Sequence, residues 1–221
     1  MPNMGNNRGE HAGAYGGFAP VRREPSLPFR YQRRRPEAMT ERRLLAVSGT
    51  PGTGKTHLCD RLARLGWTVH PLAALAEQHG CLGETDAVDG AAPIDIHRLA
   101  EAWEGPMDGL HAVDGHLSHF LEVDGVVMLR CEPGLLRQRL EQRGYHEPKI
   151  RANVEWEMMA GAWSELLEFE IEIPVLELDS GRLDDRALSD AVQEWVTQGL
   201  PSEPLADGVL SAIDWLAESR S

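Results

Sequence analysis

The sequence predicts a doubly wound α/β fold, in which a parallel sheet of about five strands carries helices on both faces. Three observations point there. Short, fully apolar runs recur along the chain without polar alternation, as in strands covered on both sides. Between them lie segments with apolar residues at helical spacing, several of them closed by glycine. The chain has 221 residues, 42% hydrophobic and 26% charged, which suits one domain with modest appendages and excludes whole-chain disorder and fibrous folds.

The first strand is expected over 44–48, central in the sheet because it has no polar gap. A glycine-rich turn follows, then a helix over 55–65 with Leu58, Leu62 and Leu65 on one face and Gly66 as its stop. Residues 67–70 read as a short strand, and 71–79 as a helix with Pro71 in its first turn. The stretch 80–93 is loop-like, and 95–103 forms a helix facing the core with Ile96, Leu99 and Trp103. Strands are expected over 110–113, ending at Asp114-Gly115, and over 126–129. A helix over 133–143 carries Leu135, Leu136 and Leu140 and stops at Gly144. One long helix is expected over 149–169, burying Trp156, Met159, Trp163 and Leu166, before a last strand over 175–178 and a last domain helix over 184–197. The segment 201–204 is a linker, and 205–219 forms one extra amphipathic helix. The domain proper is thus 44–199, flanked by a disordered arginine-rich leader, 1–43, and by a linker and helix, 200–221.

Charge is unevenly distributed. The formal net charge is −13, yet residues 1–43 hold nine arginines against four glutamates, a net +5 that leaves −18 on the body. So acidic a body argues against broad nucleic-acid binding, because phosphate backbones require positive fields. The Arg33-Arg34-Arg35 run in the leader has two readings, an RNA contact and a solvated tail, and Met39 offers a second translation start five residues before the first strand. No run approaches the ~20 apolar residues of a membrane span, and no apolar run follows the N-terminal arginines as in a secretory signal. The expected location is the cytoplasm. Cys59, Cys81 and Cys131 are far apart and form no CxxC pair, so they read as small buried apolar residues rather than a disulfide or zinc framework.

Chemistry enters at Gly49-Thr50-Pro51-Gly52-Thr53-Gly54-Lys55-Thr56, a full G-x-x-x-x-G-K-[ST] match placed between an expected strand and an expected helix. This is the P-loop NTPase arrangement. The glycines let consecutive amides turn inward on a phosphate, and the following helix adds the positive end of its dipole. Gly49, Pro51, Gly52, Thr53, Gly54, Lys55, Thr56 and His57 are therefore the candidate ATP contacts. Lys55 would bridge the terminal phosphates, and Thr56 would ligate Mg2+ together with Asp114, the carboxylate that ends a strand. His116 is expected to face the phosphates or a water. With His119 it makes a poor metal site, because a third ligand is missing. Arg139 and Arg143, four residues apart, share a helix face and can converge on one anion. A guanine-selecting [NT]-K-x-D element needs a lysine, and of Lys55 and Lys149, the two lysines in the chain, one is committed to the loop and the other follows Pro148. A GTPase is excluded, and the expected sheet is short for a motor or ring ATPase, which leaves a small-molecule phosphotransferase.

The loop, the Asp114-Gly115-His116-Leu117-Ser118-His119 segment and the stretch from Arg139 through Arg143-Gly144-Tyr145 to Lys149 together resemble the atypical adenylate kinase family over residues 44–197. His116 stands where other nucleoside monophosphate kinases have phenylalanine. The resemblance implies transfer of the ATP γ-phosphate to AMP, ATP hydrolysis as a second activity, and a role in small ribosomal subunit maturation through a platform ribosomal protein. It also implies a short lid opened by Arg143, Gly144 and Tyr145, with catalytic roles for Lys55, Asp114, His116 and Arg143. The acceptor clamp falls between His70 and Arg98, where Arg98 is the candidate for the AMP phosphate and Asp95 either orients it or caps the helix. That region departs from the family wording, having Ala92-Pro93 where a Cys-Pro step is usual.

Overall fold

The computed structural model describes residues 42–85 and 92–218. The expected leader therefore lies outside the described residues except at its last two positions. The sheet has five strands in the order β2-β3-β1-β4-β5, all pairs parallel. They are β1 (Arg43–Ser48), β2 (Thr68–Pro71), β3 (Leu110–Asp114), β4 (Gly125–Arg130) and β5 (Val175–Asp179). β1 is the middle strand.

Alternate β1 residues serve opposite faces of the sheet, as the two-residue strand repeat requires. Leu44 and Ala46 join Val113, Val126 and Met128 against α2 (Leu72–Gln78), α3 (Ile96–Ala102) and α6 (Gly161–Glu168). Leu45 and Val47 join Ala112, Val127 and Leu129 against α1 (Lys55–Arg64) and α7 (Asp185–Thr197). A third, smaller core of Cys131, Leu136, Leu140 and Ile150 seals α4 (Pro133–Gln142) to α5 (Glu147–Met158). All three cysteines are buried and free.

Several elements differ from expectation. Pro71 ends β2 and caps α2 instead of entering its first turn. The single helix expected over 149–169 is two, α5 and α6, broken at Ala160, whose φ of 50° is left-handed. There the Trp156 ring lies against Gly161, where any Cβ would overlap it. The break also rotates the buried face. Trp163 and Leu166 are buried, but Trp156 and Met159 are exposed, at 39% and 62%, and Glu157 takes the inward position at 2%. The helix expected over 205–219 is likewise two short ones, α8 (Leu205–Ser211) and α9 (Trp215–Glu218), and Trp215 alone of their residues is buried.

Candidate active site

The loop leaves the carboxyl end of β1, the middle strand, where flanking strands diverge and doubly wound sheets bind ligands. Gly49 has φ 128°, and a Cβ there would run into the Leu129 carbonyl of β4, so only glycine fits. Inside the loop, Thr53 N–H donates to the Thr50 carbonyl (3.2 Å), as does Thr53 Oγ1 (2.9 Å). Lys55 Nζ donates to the carbonyls of Gly49 (2.7 Å) and Thr50 (3.0 Å), which holds the amine across the loop mouth. Burial, and secondarily Arg143, lower the Lys55 pKa to about 8 against the opposing pull of Asp114.

β3 runs beside β1 with Asp114 paired to Val47, which carries its carboxylate to the loop. Thr56 Oγ1 donates to Asp114 Oδ2 at 2.9 Å. The two residues read as ion ligands from the sequence thus meet across the sheet. One turn further on, Ser48 Oγ donates to the His116 carbonyl (2.8 Å), leaving a lone pair for His119 Nδ1 at 2.8 Å and assigning the ring proton to that nitrogen. His119 Nε2 lies 3.2 Å from Glu165 Oε2 and makes no hydrogen bond among the described residues. The Ser48 contacts anchor the segment that presents His116. The His116 side chain keeps access to solvent, while the dense protein behind it and the Lys55 charge push its pKa down to about 4. It is neutral at pH 7.

Arg139 and Arg143 line one cleft of about 300 Å3 with Gly52, Thr53, Gly54 and His57. Arg139 is held there by Ser180, donating to its hydroxyl (3.2 Å) and carbonyl (3.1 Å), and by Cys131 Sγ (3.4 Å). The cleft therefore joins loop amides to two guanidinium groups. Pro51 sits half-buried in the loop, outside the residues lining the cleft. A larger hollow, about 510 Å3, opens between α6, β5 and α8, lined by Glu177 and Glu203, a charge unsuited to phosphate.

On the acceptor side, Asp95 Oδ1 accepts from the Arg98 backbone N–H at 3.1 Å, so the carboxylate caps α3. Arg98 is exposed on that helix. Part of the expected clamp, 86–91, lies outside the described residues.

Sequence reasoning missed one pair behind the loop. Thr50 Oγ1 donates to Glu157 Oε2, and Arg130 Nε to Glu157 Oε1 at 2.7 Å, all three residues being buried. The available signal was Arg130, a cation closing an otherwise fully apolar strand.

A family model described as an AAA domain matches residues 45–160, from β1 to the end of α5, which contain the loop, Asp114 and both arginines. Archaeal relatives bear the name "Putative adenylate kinase". The one from Archaeoglobus fulgidus is 38% identical over 175 residues, covering 79% of this chain and 93% of that protein. That of Thermococcus gammatolerans is 33% identical over 174 residues, covering 78% and 92%. Among solved structures, the YorR protein of Bacillus subtilis in complex with phosphorylated GDP aligns with a TM-score of 0.45 at 14% identity, covering 71% of this chain and 96% of that one. Fold, loop and relatives together define a nucleotide kinase built on a phosphate-binding loop. The chain belongs to that AAA-domain family and, with these archaeal relatives, to the atypical adenylate kinases.

Proposed function

We propose that the chain transfers the γ-phosphoryl group of ATP to AMP, giving two ADP. The observation that carries this reading is the 2.9 Å contact of Thr56 with Asp114, which puts a strand-end carboxylate against the loop beside Lys55. The loop amides would bind the β- and γ-phosphates, and Lys55 would exchange its loop carbonyls for phosphate oxygens. Arg139 and Arg143 would face the charge that spreads over the transferring group, work suited to planar multi-donor cations. Closure of the α4–α5 hairpin by Arg143, Gly144 and Tyr145 would exclude water. Arg98 would meet the AMP phosphate.

The residues fit Mg2+. Thr56 and Asp114 offer two hard oxygens, and among the described residues no group of three or more His, Cys, Asp or Glu forms a cage, so phosphate and water would complete the shell. The bound ion would neutralise charge on the β- and γ-phosphates. ADP formation from ATP with each nucleoside monophosphate tests the assignment. AMP should raise it most, and a rate with AMP equal to that with ATP alone rejects the reading.

A second reading, ATP hydrolysis serving small ribosomal subunit maturation through a platform ribosomal protein, is favoured by His116. A neutral imidazole close enough to feel the Lys55 charge can accept a proton from an attacking water. Pull-down of ribosomal proteins with and without ATP tests it, and a nucleotide-insensitive result rejects it. Among the described residues no helix is long and apolar enough to cross a membrane, and a cytoplasmic location belongs to the same proposal.

A further inference from the structure

The C-terminal segment is connected to the phosphate-binding loop through one shared carboxylate, because Trp215 and Thr50 both donate to Glu157. Glu157, 2% exposed, is the relay. Besides Arg130 and Thr50, its carboxylate accepts from the Trp215 indole N–H (3.1 Å) and from Cys131 N–H (3.1 Å), both on Oε1. The same segment holds Arg130 from the other side. The Arg130 guanidinium lies 5.9 Å from the Trp215 ring centroid, and its NH1 donates to Glu177 Oε1 at 2.7 Å. Glu177 Oε2 in turn accepts from Ile213 N–H at 2.9 Å.

A buried carboxylate with several donors has its orientation fixed by all of them, and removing one lets it rotate or draw in water. That orientation matters at Thr50. Its hydroxyl is held by Glu157 Oε2, while its carbonyl receives Lys55 Nζ, Thr53 N–H and Thr53 Oγ1. A turn of Thr50 therefore moves both the loop amide and the amine meant for phosphate.

We propose that Trp215 and Glu157 are positioning residues of the nucleotide site, the C-terminal segment setting the Glu157 carboxylate so that Thr50 presents the loop in its triphosphate-binding form. This rests on the reading of the loop as an ATP site. Trp215→Phe keeps the ring over Arg130 and deletes the donor, and Thr50→Val deletes the hydroxyl at similar volume. Calorimetric ATP affinity, measured well below the unfolding midpoint of each variant, should fall about 3- to 10-fold for either change, the effect of one hydrogen bond. The double variant should lose little more than the worse single one, because both lesions act on one carboxylate.

Multiplying effects, or a Trp215→Phe chain with a lowered midpoint and unchanged affinity, overturn the proposal. A measurement on the unmodified chain covers the case in which Trp215→Phe does not fold. If Trp215 engagement favours ATP, then ATP must favour Trp215 engagement. The indole N–H of Trp215, followed by NMR, should exchange more slowly with ATP bound, and an unchanged rate overturns the proposal as well. Absence of ATP binding by the unmodified chain overturns the nucleotide reading itself, and this proposal with it.

Discussion

A lysine amine with pKa about 8 is partly deprotonated just above neutrality, and its environment explains why. Burial withholds water from the charge and Arg143 adds repulsion, while the attraction of Asp114 offsets only part of the cost of burial. The unfolded chain therefore binds more protons than the folded one between about 8 and 10.5, so this group's contribution to stability rises with pH across that window. A triphosphate reverses the balance by placing negative charge against the amine. ATP binding near pH 8.5 should then take up a fraction of a proton, up to about three-quarters, visible as a dependence of the calorimetric heat on buffer ionisation enthalpy. Lys55→Ala should abolish both the uptake and phosphoryl transfer. Buffer-independent heats in the unmodified chain would show that the amine does not meet the phosphates. His116 is the opposite case, neutral throughout the physiological range and so available as a base. His116→Ala should depress ATP hydrolysis about 100-fold or more, the usual range for a positioned base, and AMP phosphorylation much less, since AMP brings its own nucleophile. Equal losses in the two assays would remove the water-positioning role.

At the scale of elements, helix ends decide how the parts meet. Gly66 and Gly144 take left-handed conformations directly after α1 and α4, as their places in the sequence foretold. The end of α6 uses the same bonding, with Glu170 N–H to Leu167 O at 3.2 Å and Ile171 N–H to Leu166 O at 2.9 Å, but puts a glutamate at φ 51°. That choice strains the backbone and sets a negative charge on the negative end of the helix. Glu170→Gly should stabilise the fold by about 1 kcal/mol, raising the thermal midpoint by about 2–4 °C, read by calorimetry. Glu170→Asn, which also tolerates the conformation, should recover part of the gain, and a loss in both variants would contradict the helix-end argument. Such ends explain what was legible beforehand. The strands, the loop and the convergence of Thr56 with Asp114 follow from local signals: apolar runs, glycine spacing, and parallel pairing that aligns strand ends. The break at Ala160 left no such mark, since neither Ala160 nor Glu170 is the glycine that flags a left-handed turn. Glu157 was hidden for another reason: amid the exposed charges of α5, its burial depends on Arg130 and Trp215, which are distant in sequence. Reading Trp156 and Met159 as buried followed from continuing one helical phase through a break that resets it.

Across the whole molecule, charge runs against the ligand. On the proposed function a body at −18 would bind polyanions at the cleft lined by Arg139 and Arg143, with Lys55 held on the adjoining loop, while acidic side chains set the sign of its net charge. The cations' attraction acts over a few ångströms, whereas the acidic surface repels itself over the full diameter. Salt separates these ranges, because the screening length falls from about 10 Å at 0.1 M to about 3 Å at 1 M. Self-repulsion weighs more on the compact state than on the expanded chain. The thermal midpoint should therefore rise by several degrees between 0.1 and 1 M KCl, most steeply at the low end, where screening changes fastest. The exposed pairs, Arg137–Glu147, Arg151–Glu155 and Arg186–Asp190, oppose the trend only weakly, because solvent screens them and ordering two long side chains costs entropy. The buried Arg130–Glu157 pair is shielded from bulk ions and should not respond. A midpoint that falls with KCl would mean that surface ion pairs, and not net repulsion, dominate the electrostatics of this fold. Replacing KCl by a nonionic osmolyte of equal osmolality is the control, since it leaves charge unscreened and should not reproduce the steep rise at low concentration.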